Sequence, residues 1–150
     1  MADQARRYRD IDRAVSRLNR TCLYRLLQGK KIHPGQPPIL KLLMEKDGRS
    51  QCVLACIIGV SRASLGVSLR RMEKAGLITR TPDEKDSRYN MVYLTEEGRA
   101  MAHKSDEALT TLTAAKLRGF SEEEIEQMLS YFDRIRQNLS DLQDELDGRK

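Results

Sequence analysis

The chain has 150 residues, 33% of them charged, a net charge of +5 and a mean hydropathy of -0.60. No apolar run approaches the ~20 residues a membrane-spanning helix needs, and the arginine-rich N-terminus lacks the apolar segment of a secretion signal. Its 3 cysteines are too few, and odd in number, for a disulfide scaffold in a chain of this size, so the expected setting is the cytoplasm, away from membranes.

Taken in chain order, Asp3 to Gln28 reads as a first helix. Ile11, Val15, Leu18, Cys22 and Leu26 recur at helical spacing and mark an apolar stripe. Cys22 lies within that stripe, so packing is its default role. The other face holds Arg6, Arg7, Arg9, Arg13, Arg17 and Arg20, read as the solvated side of a dimer helix, with contacts to a DNA backbone as the alternative. A turn follows from Gly29 to Gly35. Pro37 and Pro38 suit the first turn of a second helix, where a missing N–H costs little. Ile39, Leu40, Leu42 and Leu43 carry that helix to about Asp47. Gly48-Arg49-Ser50 then forms a turn with room for a very short strand.

Leu54, Ala55 and Ile58 share one face of a short helix at about 100° per residue. Gly59 can take the positive φ that ends a helix and turns the chain. Ser61 is a good N-cap for the next helix. In that helix, from Arg62 to Ala75, Leu65, Leu69 and Met72 face inward. Arg62, Ser64, Gly66, Val67 and Arg70 are expected to point out. Two helices joined by a tight turn, the second with such an outer face, form a helix-turn-helix. After Gly76 the period changes. Leu77 to Thr79 and Tyr89 to Thr95 favour strands, and the polar stretch from Arg80 to Arg88 between them is turn-rich. The pair makes a β-hairpin wing.

Thr95 caps a fifth helix that runs to about Leu117, and Glu96 and Glu97 suit its positive end. Gly119 ends it. Ser121 with Glu124 three residues on is a capping box that starts the last helix. There Ile125, Met128, Phe132, Ile135, Leu139, Leu142 and Leu146 step by three and four, the clearest periodicity in the chain. Such a stripe asks for a partner helix, most simply in a second subunit; a bundle within one chain is the alternative. The expected dimer interface is Ile11, Val15, Leu18, Met128, Phe132, Ile135, Leu139 and Leu142.

Charge is unevenly spread. From Gly59 to Pro82 there are five basic residues and one acid, a balance of +4. From Phe120 to Lys150 there are four basic residues and nine acids, a balance of -5. A basic centre beside an acidic tail suits a polyanion that meets the centre only.

The order Ser50-Gln51-x-x-Leu54-Ala55, Gly59-Val60-Ser61, Met72-Glu73-Lys74-x-Gly76-Leu77-Ile78-x-Arg80, Asp86-x-Arg88, Leu94-Thr95-x-x-Gly98 resembles the MarR-family transcriptional regulators. The resemblance covers nearly the whole chain. Two departures stand out: Cys52 and Cys56 replace residues that are polar or charged in many relatives, and Gly66-Val67 stands where Thr and Arg are frequent. The resemblance implies a mainly α fold with a small β-hairpin wing, a winged helix-turn-helix lobe plus a helical dimerisation region. It reads as one MarR-like domain over 1–150, with dimerisation helices at 1–34 and 117–150, the winged helix-turn-helix at 36–98 and a connecting helix at 95–117. The implied function is a sequence-specific DNA-binding regulator, a repressor released by a small-molecule effector, that binds a palindromic operator in double-stranded DNA as a homodimer.

On that reading Ser61, Arg62, Ser64, Val67, Arg70 and Arg71 meet the DNA. The resemblance further implies that Arg88 reaches the minor groove, oriented by Asp86, and that Lys85 and Arg80 contact phosphates. It also implies an effector cleft, for which Tyr24, His33, Met44 and His103 are the candidates. Cys52 and Cys56, one turn apart and opposite Leu54 and Ile58, form a candidate pair for thiol or soft-metal sensing. No phosphate loop, dinucleotide motif, zinc-protease helix or nucleophile elbow is present, and His33 and His103 have no local metal-ligand spacing. No enzyme activity, metal or cofactor is therefore expected. A winged-helix dimer that binds proteins instead of DNA is the other reading.

Overall fold

The structure is a computed structural model and describes residues 1–29, 32, 33, 35–83 and 90–148. The elements are α1 (Ala2–Leu26), α2 (Pro37–Glu45), β1 (Arg49–Ser50), α3 (Gln51–Ile58), α4 (Arg62–Lys74), β2 (Ile78–Pro82), β3 (Asn90–Leu94), α5 (Glu96–Leu117) and α6 (Glu122–Leu146). Two compact units result, Met1–Leu112 and Thr113–Lys150, and the division falls inside α5.

In the first unit the core gathers around the helix-turn-helix. Leu54 of α3 and Leu65, Leu69 and Met72 of α4 are buried with Leu77, Ile78 and Val92. Ile39, Leu40 and Leu43 of α2 and Met101, Ala102, Ala108 and Leu112 of α5 join the cluster. Each such side chain contributes about 1.5–3 kcal/mol when fully buried. The expected short strand exists and turns the hairpin into a three-stranded antiparallel sheet of order β1-β3-β2. Arg49 pairs with Val92 and Ile78 with Leu94.

Asp47 locks this unit from the end of α2. Its Oδ1 accepts hydrogen bonds from the backbone N–H of Gly48 at 3.1 Å and of Leu94 at 3.0 Å. Its Oδ2 lies 2.6 Å from Arg99 on α5. One carboxylate thereby joins the helix, the strand and the first turn of α5. Thr95 caps α5 as expected, accepting from the N–H of Gly98 at 2.9 Å and donating to the Gly76 carbonyl at 2.6 Å.

The first helix packs differently from its stripe. Leu23 and Leu27 are buried, whereas Ile11, Val15, Leu18, Cys22 and Leu26 are exposed. The residues that enter the core each sit one position after a stripe residue, Leu23 after Cys22 and Leu27 after Leu26, because only the end of α1 reaches the lobe. Cys22 is therefore not a packing residue within this chain.

In the second unit the capping box of α6 is complete. Ser121 Oγ accepts from Glu124 N at 3.2 Å, and the Glu124 carboxylate accepts from Ser121 N at 2.8 Å. The apolar stripe is open: Phe132 is 59% and Leu139 60% exposed, and Leu142 and Leu146 are exposed too. Ile125, Met128 and Ile135 are half-buried.

Candidate nucleic-acid interface

The interface is built from two capped helices and a left-handed glycine. Ser50 caps α3 by accepting from Val53 N at 3.3 Å, and Ser61 caps α4 by accepting from Ser64 N at 3.1 Å. Gly59 has φ 74°, the conformation it was expected to supply. The Val60 N–H closes the end of α3 on the Ala55 carbonyl at 3.1 Å. Across this turn the helix axes bend by 114°, within the range of helix-turn-helix units. α4 is thus held at its start and packed on one side by α3, leaving its far side free.

That far side is narrower than the sequence suggests. At about 100° per residue, Ala63, Ser64, Val67, Arg70, Arg71 and Lys74 point away from Leu65, Leu69 and Met72, and all six are exposed. Gly66 does not belong to it, contrary to expectation. It is buried against α3, where a Cβ would stand 3.3 Å from Gln51 Nε2. A helical wheel shows only which residues share a face; it does not show which second face a neighbouring helix takes. Arg62 is exposed but sits at the first turn on the side of Gly66 and Leu69, with its carbonyl accepting from Gln51 Nε2 at 3.5 Å.

Arg80 is engaged inside the unit. Its Nε and Nη2 donate to Glu73 Oε2 at 3.0 and 2.5 Å, tying β2 to the last turn of α4. The Arg80 hydrogen bond holds the Glu73 carboxyl below its ordinary value of 4.5. Arg80 thus has a partner before any phosphate arrives, and among the described residues the positive charge of the face rests on Arg70, Arg71 and Lys74, with Arg62 exposed beside it at the first turn. Lys85, Asp86 and Arg88 lie outside the described residues.

The four cleft candidates do not converge. Tyr24 and His33 line a cavity of about 350 Å³ with Gln36, Arg71 and Ala75. Met44 and His103 line a separate one of about 210 Å³ with Lys41, Ser105 and Asp106. Sequence reasoning missed Ser105, which is only 2% exposed. Its hydroxyl has no hydrogen-bond partner among the described residues, although buried polar groups are normally paired. A lone serine in a helix carries no signal of this kind. Of the cysteine pair, Cys56 is exposed and Cys52 half-buried, so only part of the expected outward thiol face is open. Among the described residues no three His, Cys, Asp or Glu side chains gather as a metal site, and no single helix is long and apolar enough to cross a membrane.

Residues 32–89 match the family model of the MarR family. Over those residues the chain is similar to MarR-family domains. This segment contains α2, the helix-turn-helix, β2 and Gly59, the elements that position the face described above. The fold extends beyond it. The transcriptional regulator SlyA is similar at 27% identity and TM-score 0.73, over 93% of this chain and 95% of that one. A MarR-family transcriptional regulator from Listeria monocytogenes, complexed with 26mer DNA, is similar at 22% identity and TM-score 0.78, over 89% of each chain. BpsR of Bordetella bronchiseptica, whose DNA binding is regulated by 6-hydroxynicotinic acid, has 16% identity and TM-score 0.77, over 87% of this chain and 98% of that one.

Proposed function

We propose that this protein is a homodimeric, sequence-specific transcriptional regulator acting in the cytoplasm. Each copy lays α4 in a major groove of double-stranded DNA, and the two copies read the halves of a palindromic operator. The observation that carries this reading is the far side of α4. All six of its residues are exposed, it carries Arg70, Arg71 and Lys74 without an acid, and it lies within the residues that match the MarR family. Phosphate contacts fix such a helix on the duplex, and base edges supply the specificity. The open stripe of α6, with that of α1, supplies the surface for the second copy.

The protein acts as a repressor released by a small molecule. In support, a cavity of about 210 Å³ lies between α2 and α5, lined by Met44, His103 and Ser105 among others. An effector bound between α2 and α5 would favour a spacing of the lobes that does not match the operator.

In the wing, the resemblance to the family supports Arg88 as the minor-groove contact and Asp86 as the residue that orients it, both outside the described residues. The test uses fluorescence anisotropy on a duplex from the protein's own upstream region, across a salt series. Arg88→Ala weakens binding and lowers the salt slope by roughly one for each phosphate it no longer neutralises. Asp86→Ala also weakens binding, although removal of a negative charge favours DNA on simple electrostatics. Tighter binding by Asp86→Ala at every salt concentration overturns the positioning role. A wild-type protein that prefers its upstream duplex no more than a scrambled one overturns the function.

A further inference from the structure

The chemistry of the exposed face of α4 changes along its length. Ala63, Ser64 and Val67 occupy the first two turns, and Arg70, Arg71 and Lys74 the remainder. In a recognition helix the N-terminal residues are those that reach base edges. Here that part has no Asn, Gln, Lys or Arg on the outward face, so the bidentate readout of adenine or guanine is missing where it is usually made. It has one hydroxyl and two apolar groups. Ser64 Oγ takes a hydrogen bond from Ser61 Oγ at 2.9 Å and keeps its own proton to donate.

Val67 is 41% exposed and lies opposite the buried ridge of Leu65, Leu69 and Met72. It therefore stands between Ala63 and Ser64 at the middle of the exposed face in the first two turns. Single exposed valines are common on protein surfaces, but a β-branched residue has a lower helix propensity than alanine at such a site. The one major-groove group whose chemistry matches Val67 is the C5 methyl of thymine.

Resting on the DNA-binding reading above, we propose that Val67 is a specificity-determining residue that packs against a thymine methyl in each half-site. Selectivity at that position comes from burial of the methyl, with no hydrogen bond. Arg70, Arg71 and Lys74 hold the register through phosphates and add no sequence information of their own.

Deoxyuridine differs from thymidine in the base by that methyl alone, so it isolates the contact. A duplex is first enriched from a random-sequence pool by the wild-type protein. Each thymine is then replaced in turn by deoxyuridine, and binding is followed by fluorescence anisotropy. Loss of a buried methyl, at ~0.8 kcal/mol, corresponds to about fourfold in affinity. One thymine per half-site therefore shows about a fourfold loss, and substitution in both half-sites roughly fifteenfold. The Val67→Ala variant, which keeps the helix, binds more weakly and no longer distinguishes thymine from deoxyuridine there. If no deoxyuridine weakens the wild type, or if Val67→Ala keeps the full discrimination, the inference is overturned while the DNA-binding reading stands. If no duplex is enriched at all, the DNA-binding reading fails and takes the inference with it.

Discussion

Replacing Ile135 and Leu139 of α6 by aspartate together is expected to convert the proposed dimer into monomers. The two positions lie four apart on the stripe that also carries Phe132 and Leu142, so they share one seam. Phe132, Leu139 and Leu142 stand exposed in the single chain, and each contributes about 1.5–3 kcal/mol when a partner covers it. The double variant places four unpaired carboxylates in one dimer interface, where burial of an isolated charge is far costlier than any residual packing can offset. Within a lone chain the same substitutions cost little, because Leu139 is already in water and Ile135 is only half-buried. Sedimentation velocity is expected to show a folded monomer at concentrations where the wild type is a dimer. Operator affinity falls by roughly 10²–10⁴, because the second lobe loses the effective concentration that linkage gives it. A double variant that still sediments as a dimer of unchanged stability removes α6 from the interface.

Gly98→Ala is expected to unfold the first unit at a much lower temperature. A Cβ at this position would stand 1.9 Å from the Leu77 carbonyl oxygen and 2.9 Å from its carbon. Both are backbone atoms, so no side chain can swing away. The same carbonyl accepts from Thr95 N at 3.1 Å, and the Thr95 hydroxyl bridges the Gly76 carbonyl and the Gly98 N–H. To admit one methyl, α5 must lift off the start of β2 and break its own cap. Overpacking against backbone together with loss of the cap costs about 3 kcal/mol or more. In a chain of this size that lowers Tm by roughly 10 °C. Thermal unfolding followed by circular dichroism measures it. A Tm within about 2 °C of wild type shows that α5 does not rest on Leu77 as described.

Local rules made much of the frame legible in the sequence. Ser61 and Ser121 are caps because a hydroxyl at the right offset meets a free N–H, and Gly59 turns left-handed because no side chain opposes it. These effects act within four residues. The features that were not legible act over longer distances. Asp47 reaches Leu94 and Arg99 across about half the lobe, and Arg80 finds Glu73 only once β2 lies beside α4. Gly66 packs against α3, a contact fixed by the interhelical turn. Leu23 and Leu27 enter the core in place of the stripe that begins at Ile11, because only the end of α1 meets the lobe. The cleft candidates divide between two cavities on the same principle: spacing along the chain does not say which elements will pack around a side chain. At the DNA face, the outward arginines were legible from periodicity. The central place of Val67 emerged only once Gly66 was removed from that face.

Two copies of α4 entering successive major grooves on one side of the duplex is the central claim. Hydroxyl-radical footprinting of the wild-type protein on its own upstream region tests it most directly, because the cleavage pattern reports position along the backbone. Two protected tracts are expected on one face of the DNA, with centres about one helical turn, or ten base pairs, apart, and the second tract disappears with the Ile135→Asp, Leu139→Asp variant. A single unphased tract, or no protection at protein concentrations that saturate binding, would contradict it.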